Sequence, residues 1–348
     1  MSFIILGEET MKGLSDDSVR IFGAAILMRH LWALEAEIKG VRGGGDIENI
    51  HRMRVASRRF RSAFPLFASA YKNKHARLWK QEVRSITSSL GSARDADVQI
   101  EHLESIFSQL NERRHQPGVK RLLTRLQQQR SEQQHHVLRS LDQFEKSGVI
   151  EDISKTLAPY AALAMEPFPY SRNLYQLSQQ AIQKCQQLLL SYEPYIHQPE
   201  RVQELHAMRV AAKKLRYTLE IFAPLYPDPY KKAISVVKEL QEMLGAIHDM
   251  DVWTDLLPRF IEEERLRTIQ YYNSEQPMSR LRPGLSFLLE LHKNERQRLY
   301  HDFIERWDRW TQQGPIWGKL DEIIARPLSI GDDLYPPGNV GDQHKWTS

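Results

Sequence analysis

Residues 50–61 read IHRMRVASRRFR and residues 205–216 read LHAMRVAAKKLR, so one segment of this sequence occurs twice. A second pair follows in the same order, with LGSARDADV at 90–98 and LGAIHDMDV at 244–252. The copies lie about 155 residues apart, which is far longer than a solenoid repeat of roughly 20–50 residues. The sequence therefore predicts a helical unit that is duplicated within one chain.

Apolar residues recur at helical spacing through both halves of the chain, and glycine and proline are scarce at 17 residues each. This pattern predicts an all-α fold. The predicted helices cover about residues 16–39, 47–70, 73–90, 95–113 and 120–146 in the first half, and 174–188, 200–223, 229–246, 250–273 and 283–313 in the second.

A proline-rich segment separates the two halves. Residues 159–171 contain three prolines and no helical period, which predicts a linker. This division places a first bundle at 15–158, a second bundle at 172–315 and a C-terminal tail at 316–348. The tail is rich in proline and glycine, so we expect it to be loosely ordered.

Composition excludes several classes of protein. The single cysteine, Cys185, rules out an internal disulfide and a multi-cysteine metal site. It lies in the apolar stripe of its helix, where a buried structural residue is expected. No run approaches the roughly 18 apolar residues of a membrane span, and the apolar run at 3–6 is too short for a secretion signal. We therefore expect a cytoplasmic protein with no membrane partner.

Each repeated helix has one basic face. At about 100° per residue, the positions i, i+3, i+7 and i+10 share a side of the helix, and the apolar residues occupy the other side. The next helix in each half continues the pattern with lysine and arginine. The residues on these faces are His51, Arg54, Arg58, Arg61, Arg77, Lys80 and Arg84 in the first half, and His206, Arg209, Lys213, Arg216, Lys231 and Lys238 in the second.

The basic faces carry no acidic residue to balance them. Residues 51–61 hold five arginines and residues 206–216 hold four lysines or arginines, although the whole chain has a net charge of only +4. Like charges at i, i+4 repel each other, so such a face predicts a polyanionic ligand. Arginine is suited to phosphate oxygens. The aromatic residue of the first segment, Phe60, lies on the core side, so stacking on nucleic-acid bases is not favoured.

The histidines and aspartates of the repeats leave alternatives open. His51 and His206 can be structural hydrogen-bonding residues, phosphate ligands that bind more strongly when protonated, or phosphoacceptors. The aspartates at 95, 97, 249 and 251 can cap helices, pair with arginines or form a catalytic pair. His248-Asp249 is similar to a metal-binding dipeptide, but the first repeat has Arg94 at that place, and arginine is not a metal ligand. No metal site or cofactor is therefore predicted.

The segments 51–61 and 90–98 closely resemble the signature of the CHAD family, named for a conserved histidine α-helical domain. Segments 206–216 and 244–252 resemble the second half of the same domain, and the resemblance extends over about residues 15–315. It implies two pseudo-symmetric four-helix bundles with a basic groove or cavity between them. Carried over by position, it implies ligand contacts at His51, Arg54, Arg58, Arg84, His206, Arg209, Lys213 and Lys238, with Arg61, Arg94 and Arg216 as further candidates. The positive charges of Lys80 in the next helix and of Lys214 in segment 206–216 make them candidates as well.

The resemblance also implies a function. It implies binding of long-chain inorganic polyphosphate and association with polyphosphate granules, without catalysis. A first alternative is a phosphohydrolase or phosphotransfer enzyme that uses His51 or His206 with the nearby aspartates, and a second is an RNA-binding module. Nucleic acid is the less favoured partner, and the sequence makes no prediction of the oligomeric state.

Overall fold

The computed structural model describes residues 16–44, 46–71, 76–312, 316–329 and 337–338. Helices form nearly all of this part of the chain, so the all-α prediction is confirmed. Two short strands, β1 (Phe168–Pro169) and β2 (Pro337–Gly338), pair in antiparallel fashion. The α-helices are α1 (Asp17–Ala36), α2 (Ile38–Gly43), α3 (Ile47–Phe67), α4 (Ala76–Ser108), α5 (Gln116–Lys146), α6 (Val149–Leu163), α7 (Arg172–Leu190), α8 (Val202–Phe222), α9 (Pro229–Tyr272), α10 (Met278–Gln312) and α11 (Ile316–Ser329).

Two of the predicted helix breaks are wrong. The breaks near residues 91–94 and 247–249 do not exist, because α4 and α9 each run through them without interruption. Leu90 and Ala93 are fully buried on either side of Gly91, and Leu244 and Ile247 are almost fully buried near the equivalent glycine. This packing outweighs the roughly 1 kcal/mol that a glycine costs inside a helix.

The predicted linker and tail are also partly helical. Residues 159–163 belong to α6, which buries Ile153 and Leu157 and packs on α1. The connection is therefore limited to 164–171, and Ser171 begins α7 by accepting a hydrogen bond from the backbone N–H of Leu174 at 3.2 Å. Residues 316–329 form α11 and bury Leu320 against the main core, so loose order is wrong for that segment. Residues 330–336 and 339–348 of the tail lie outside the described residues.

The predicted core residues of the two repeated helices are confirmed. The apolar side of α3 and the apolar side of α8 are both buried, and Cys185 is buried beside Thr218, where burial raises the pKa of its thiol. The buried apolar residues of these two faces are Met53, Ala56, Phe60, Ala63, Phe64 and Phe67 on α3, and Met208, Ala212, Leu215 and Phe222 on α8.

The buried residues form two cores, and each core contains residues from both halves of the chain. In the larger core the rings of Phe67 and Phe222 lie 6.0 Å apart, although they come from α3 and α8. The smaller core brings together distal parts of α4, α5, α9 and α10, with Leu103 and Leu122 from one half and Trp253 from the other. This distribution does not confirm the prediction of one separate four-helix bundle per repeat.

Equivalent helices of the two halves pack against each other, α3 on α8 and α5 on α10. The α5–α10 crossing occurs at Gly118 and Gly284. A Cβ atom at Gly284 would lie 2.0 Å from the carbonyl oxygen of His115, and one at Gly118 would lie 2.3 Å from that of Leu281. Contact between equivalent elements is what a twofold relation produces. The two halves of the chain therefore pack against each other partly through equivalent helices.

Within the described ranges, no helix combines the length and the apolar character that a bilayer span requires.

Candidate anion-binding site

Four cationic side chains of the two repeats converge where α3 packs on α8. Their mutual proximity shows in Lys213, whose pKa falls to about 8 because the side chain is buried and because Arg209, Arg58 and Arg54 lie near it. Residues from both of the basic faces predicted from the sequence therefore lie together in one cluster. We call this group the central cluster, and it consists of Arg54, Arg58, Arg209 and Lys213.

Two carboxylates border the central cluster. Asp95 accepts a hydrogen bond from Nη2 of Arg54 at 3.1 Å, and Asp249 lies near Arg209 and Lys213. Burial raises the pKa of Asp249. Because four cations face two acids, the cluster retains an excess of positive charge.

The second aspartate of each repeat has a different role. Nε of Arg130 donates to Asp97 at 2.6 Å, and Nε of Arg296 donates to Asp251 at 2.7 Å. These largely buried pairs join α4 to α5 and α9 to α10, so they stabilise the two helical hairpins. The predicted pairing with arginines is confirmed for Asp95, Asp97 and Asp251. Helix capping is wrong, because all four aspartates lie inside α4 or α9.

A glycine lies beside one arginine in each half. A Cβ atom at Gly91 would lie 3.6 Å from Nε of Arg54, and one at Gly245 would lie 3.7 Å from Nε of Arg209. These are ordinary contact distances, so a larger side chain at either place would press on the guanidinium group. The two glycines thus leave room for the arginines, and they do so in matching positions.

Two guanidinium groups of the central cluster are incompletely hydrogen-bonded. Nε of Arg58 and Nε of Arg209 are buried and have no hydrogen-bond partner among the described residues. Leaving a buried donor unpaired costs about 1–3 kcal/mol. A concentration of such atoms in one place is characteristic of a functional site.

The guanidinium of Arg58 also stacks on an aromatic ring. Its central carbon lies 5.5 Å from the ring centroid of Tyr217, which comes from α8 in the other half of the chain. The sequence analysis missed Tyr217. Its spacing was a usable signal, because Tyr217 follows Lys213 by four residues and so lies on the same side of the helix.

The histidines at the edge of the cluster are deprotonated near neutral pH. Burial, followed by Arg94, lowers the pKa of His51. Burial, followed by Arg209, lowers the pKa of His206. Nδ1 of His206 lies 3.1 Å from Nδ1 of His248, whose pKa falls to about 4. Before ligand binds, these rings therefore act as neutral hydrogen-bonding groups, and a bound anion would favour their protonation.

The remaining candidate residues are not part of the central cluster. Arg94 donates to Glu101 at 3.2 Å, and Arg216 donates to Glu220 at 2.7 Å. Lys214 lies near Lys184 of α7 and is not part of the central cluster. Arg61 and Arg84 lie close to each other, Lys80 is exposed, and Lys238 lies 4.0 Å from Glu242.

Within the described ranges, no group of three or more His, Cys, Asp or Glu side chains is arranged to hold a metal ion.

The fold and the site together define an all-α protein with a cationic cluster at the junction of two related halves. The sequence matches the profile of the CHAD domain over residues 25–258, and the chain belongs to the CHAD family. A comparison with curated protein sequences gives no match.

The solved structures that are similar to this chain include a CHAD domain and a protein named PptA. The crystal structure of the CHAD domain from the plant Ricinus communis matches with a TM-score of 0.56 and 23% identity, covering 92% of this chain and 94% of that one. The structure of PptA from Streptomyces chartreusis matches with a TM-score of 0.49 and 14% identity, covering 82% of this chain and 98% of that one. The Ricinus communis structure supports the assignment of the fold.

Proposed function

We propose that this protein binds long-chain inorganic polyphosphate at the central cluster and catalyses no reaction on it. The observation that carries the proposal is the convergence of four cations from both repeats beside only two carboxylates. Membership of the CHAD family supports polyphosphate as the ligand. Binding of this kind would also bring the protein to polyphosphate granules in the cytoplasm.

The physical basis of binding is the exchange of small ions for fixed cations. Each lysine or arginine that contacts a phosphate displaces condensed counterions, so the affinity should fall steeply as salt rises. The four side chains are held on packed helices and are already close together, which reduces the entropy lost on binding. Arginine additionally offers two parallel N–H groups to one phosphate.

The matching residues that the two repeats supply favour polyphosphate over RNA. A linear polyphosphate chain reads the same from either end, whereas an RNA strand has a direction. Arg54 and Arg209 occupy equivalent positions in the repeats, as do Arg58 and Lys213, so the site is built from matching cations of the two halves. Tyr217 is buried and covered by Arg58, so its ring is not free to stack on a base.

The proposal is tested by direct competition. The purified protein is titrated with long-chain polyphosphate and with single-stranded RNA at equal phosphate concentration, between about 50 and 200 mM salt. We expect preference for polyphosphate and a steep loss of affinity across this range. Preference for RNA would show that polyphosphate is not the ligand. Sustained release of phosphate in the presence of Mg²⁺ would show that the protein is an enzyme.

Binding should weaken as the pH rises from 7 to 9. Lys213 has a pKa of about 8 in the free protein, so it is mostly charged at pH 7 and mostly neutral at pH 9. Because pH 9 lies about one unit above this pKa, the affinity at pH 9 should be lower than at pH 7 by roughly five- to tenfold. A bound polyanion raises the pKa of Lys213, so binding at pH 8 should also take up protons, which calorimetry in buffers of different ionisation enthalpy would detect.

The matched control for this pH dependence is Lys213→Arg. Arginine stays charged throughout the range, so the variant should bind equally well at pH 7 and pH 9 and take up fewer protons. If the variant loses affinity as steeply as the wild type, another group on the protein or the ligand is responsible.

A further inference from the structure

Arg58 is held differently from Arg54, the other arginine that α3 supplies to the site. Arg54 donates to the carboxylate of Asp95, which partly neutralises its charge. Among the described residues, no carboxylate lies within ion-pair distance of Arg58. Its guanidinium instead faces the ring of Tyr217, whose centroid lies 5.5 Å from the central guanidinium carbon. The face of an aromatic ring attracts a guanidinium without supplying a negative charge. Arg58 therefore keeps its full charge while its position is fixed.

The ring is itself well fixed. Tyr217 is only 7% exposed and lies on α8, whereas Arg58 comes from α3, so the contact joins the two halves of the chain. Glu220 follows Tyr217 by about one turn of α8 and lies 3.9 Å from Arg59 of α3. The stacking contact is thus part of a continuous α3–α8 interface.

The two repeats differ at this place. The repeat offset aligns Tyr217 with Ser62, and the hydroxyl of Ser62 donates to the backbone oxygen of Arg58 at 3.0 Å. The first repeat therefore supplies no ring for Lys213, which is the equivalent of Arg58. The ring thus lies beside the arginine and not beside the equivalent lysine. Arginine is the better partner, because a planar guanidinium stacks on an aromatic face better than an ammonium group does.

We propose that Tyr217 is a positioning residue for polyphosphate binding, whose ring holds the Arg58 guanidinium in place, uncompensated by any acid, for a phosphate group. The inference rests on the proposed function and adds a residue that touches no ligand. Binding requires the aromatic ring of Tyr217 and not its hydroxyl group.

The test compares Tyr217→Phe with Tyr217→Leu in the full chain, each with and without Arg58→Gln. Tyr217→Phe keeps the ring and should bind long-chain polyphosphate within about twofold of wild type. Tyr217→Leu removes the ring and should bind about three- to tenfold more weakly, as expected for a partly buried cation–π contact. In the Arg58→Gln background, Tyr217→Leu should cause no further loss, because the residue on which the ring acts is gone.

Salt dependence provides a second readout. Arg58→Gln should lower the slope of log affinity against log salt by about one, whereas Tyr217→Leu keeps the charge and should leave the slope nearly unchanged. All titrations are made well below the melting temperature of each variant, so that folded protein is compared throughout.

Three outcomes would overturn the inference. They are normal binding by Tyr217→Leu, an equal loss in Tyr217→Phe, and an equal further loss by Tyr217→Leu in the Arg58→Gln background, which would indicate a general structural role. A wild-type protein that does not bind polyphosphate would instead overturn the proposed function, and so the two failures are distinguishable.

Discussion

Glutamine at all four positions of the central cluster will weaken polyphosphate binding by at least about a thousandfold near physiological salt. A hydrogen bond to a charged group contributes about 1.5–3 kcal/mol, so the loss of four cations that act on one ligand removes most of the binding free energy. The salt dependence should decrease with it, since fewer counterions are released. Titration calorimetry at several salt concentrations measures both effects.

Glutamine is preferable to an acidic residue at these positions. Asp95 and Asp249 border the cluster, and four added carboxylates beside them would repel one another and destabilise the fold. With glutamine, the far-ultraviolet circular dichroism should match that of the wild type. A loss of binding can then be attributed to the missing charges.

The matched control removes the same amount of charge from helices that supply no residue to the central cluster. It should keep polyphosphate affinity within a few-fold of wild type, because charges far from the ligand are screened by salt. If the control loses as much affinity as the cluster variant, binding is governed by net charge and the site assignment is wrong. The control carries glutamine at the exposed residues Lys120, Arg280, Lys293 and Lys319.

Gly284→Ala will lower the free energy of unfolding by at least about 2 kcal/mol. The new Cβ atom would lie 2.0 Å from the carbonyl oxygen of His115 and 3.0 Å from the carbonyl carbon. Both are backbone atoms, so no side chain can rotate away and α10 must move off α5. This strain exceeds the gain of about 1 kcal/mol that alanine normally provides inside a helix. Thermal unfolding should show a melting temperature lowered by several degrees.

Gly43→Ala is the control for this substitution. Gly43 lies in α2, and a Cβ atom there would have no neighbour within 4 Å. Alanine should therefore leave the melting temperature unchanged or raise it slightly. An unchanged melting temperature in Gly284→Ala would show that the α5–α10 crossing tolerates a wider separation.

The local features of the fold were predictable from the sequence because they depend on helical period. The apolar positions of α3, such as Met53 and Phe60, are buried as their spacing indicates. The period also assigned Arg54 and Arg58 to the opposite side of the same helix. The prediction failed at the α4 and α9 glycines, because their compensating packing comes from other helices and leaves no local signal.

The convergence of the two basic faces could not be predicted in the same way. The period of α8 places Arg209 and Lys213 on one side of that helix, but it does not specify which helix packs against that side. The contact between α3 and α8 depends on the packing of the whole chain. The lowered pKa of His248 could not be predicted either, because it follows from burial and from Arg209, which is distant in sequence.

The construction of the site from two repeats of one chain has a consequence for how such a site can change over evolutionary time. In a homodimer, one mutation alters both sides of the axis, so a residue that helps one side must be tolerated on the other. Joining the halves in one chain removes this constraint. His248 and Arg94 already differ at one equivalent pair, and Tyr217 and Ser62 differ at another. One gene can thus specialise the two arms of the site separately while the crossing at Gly118 and Gly284 keeps them in contact.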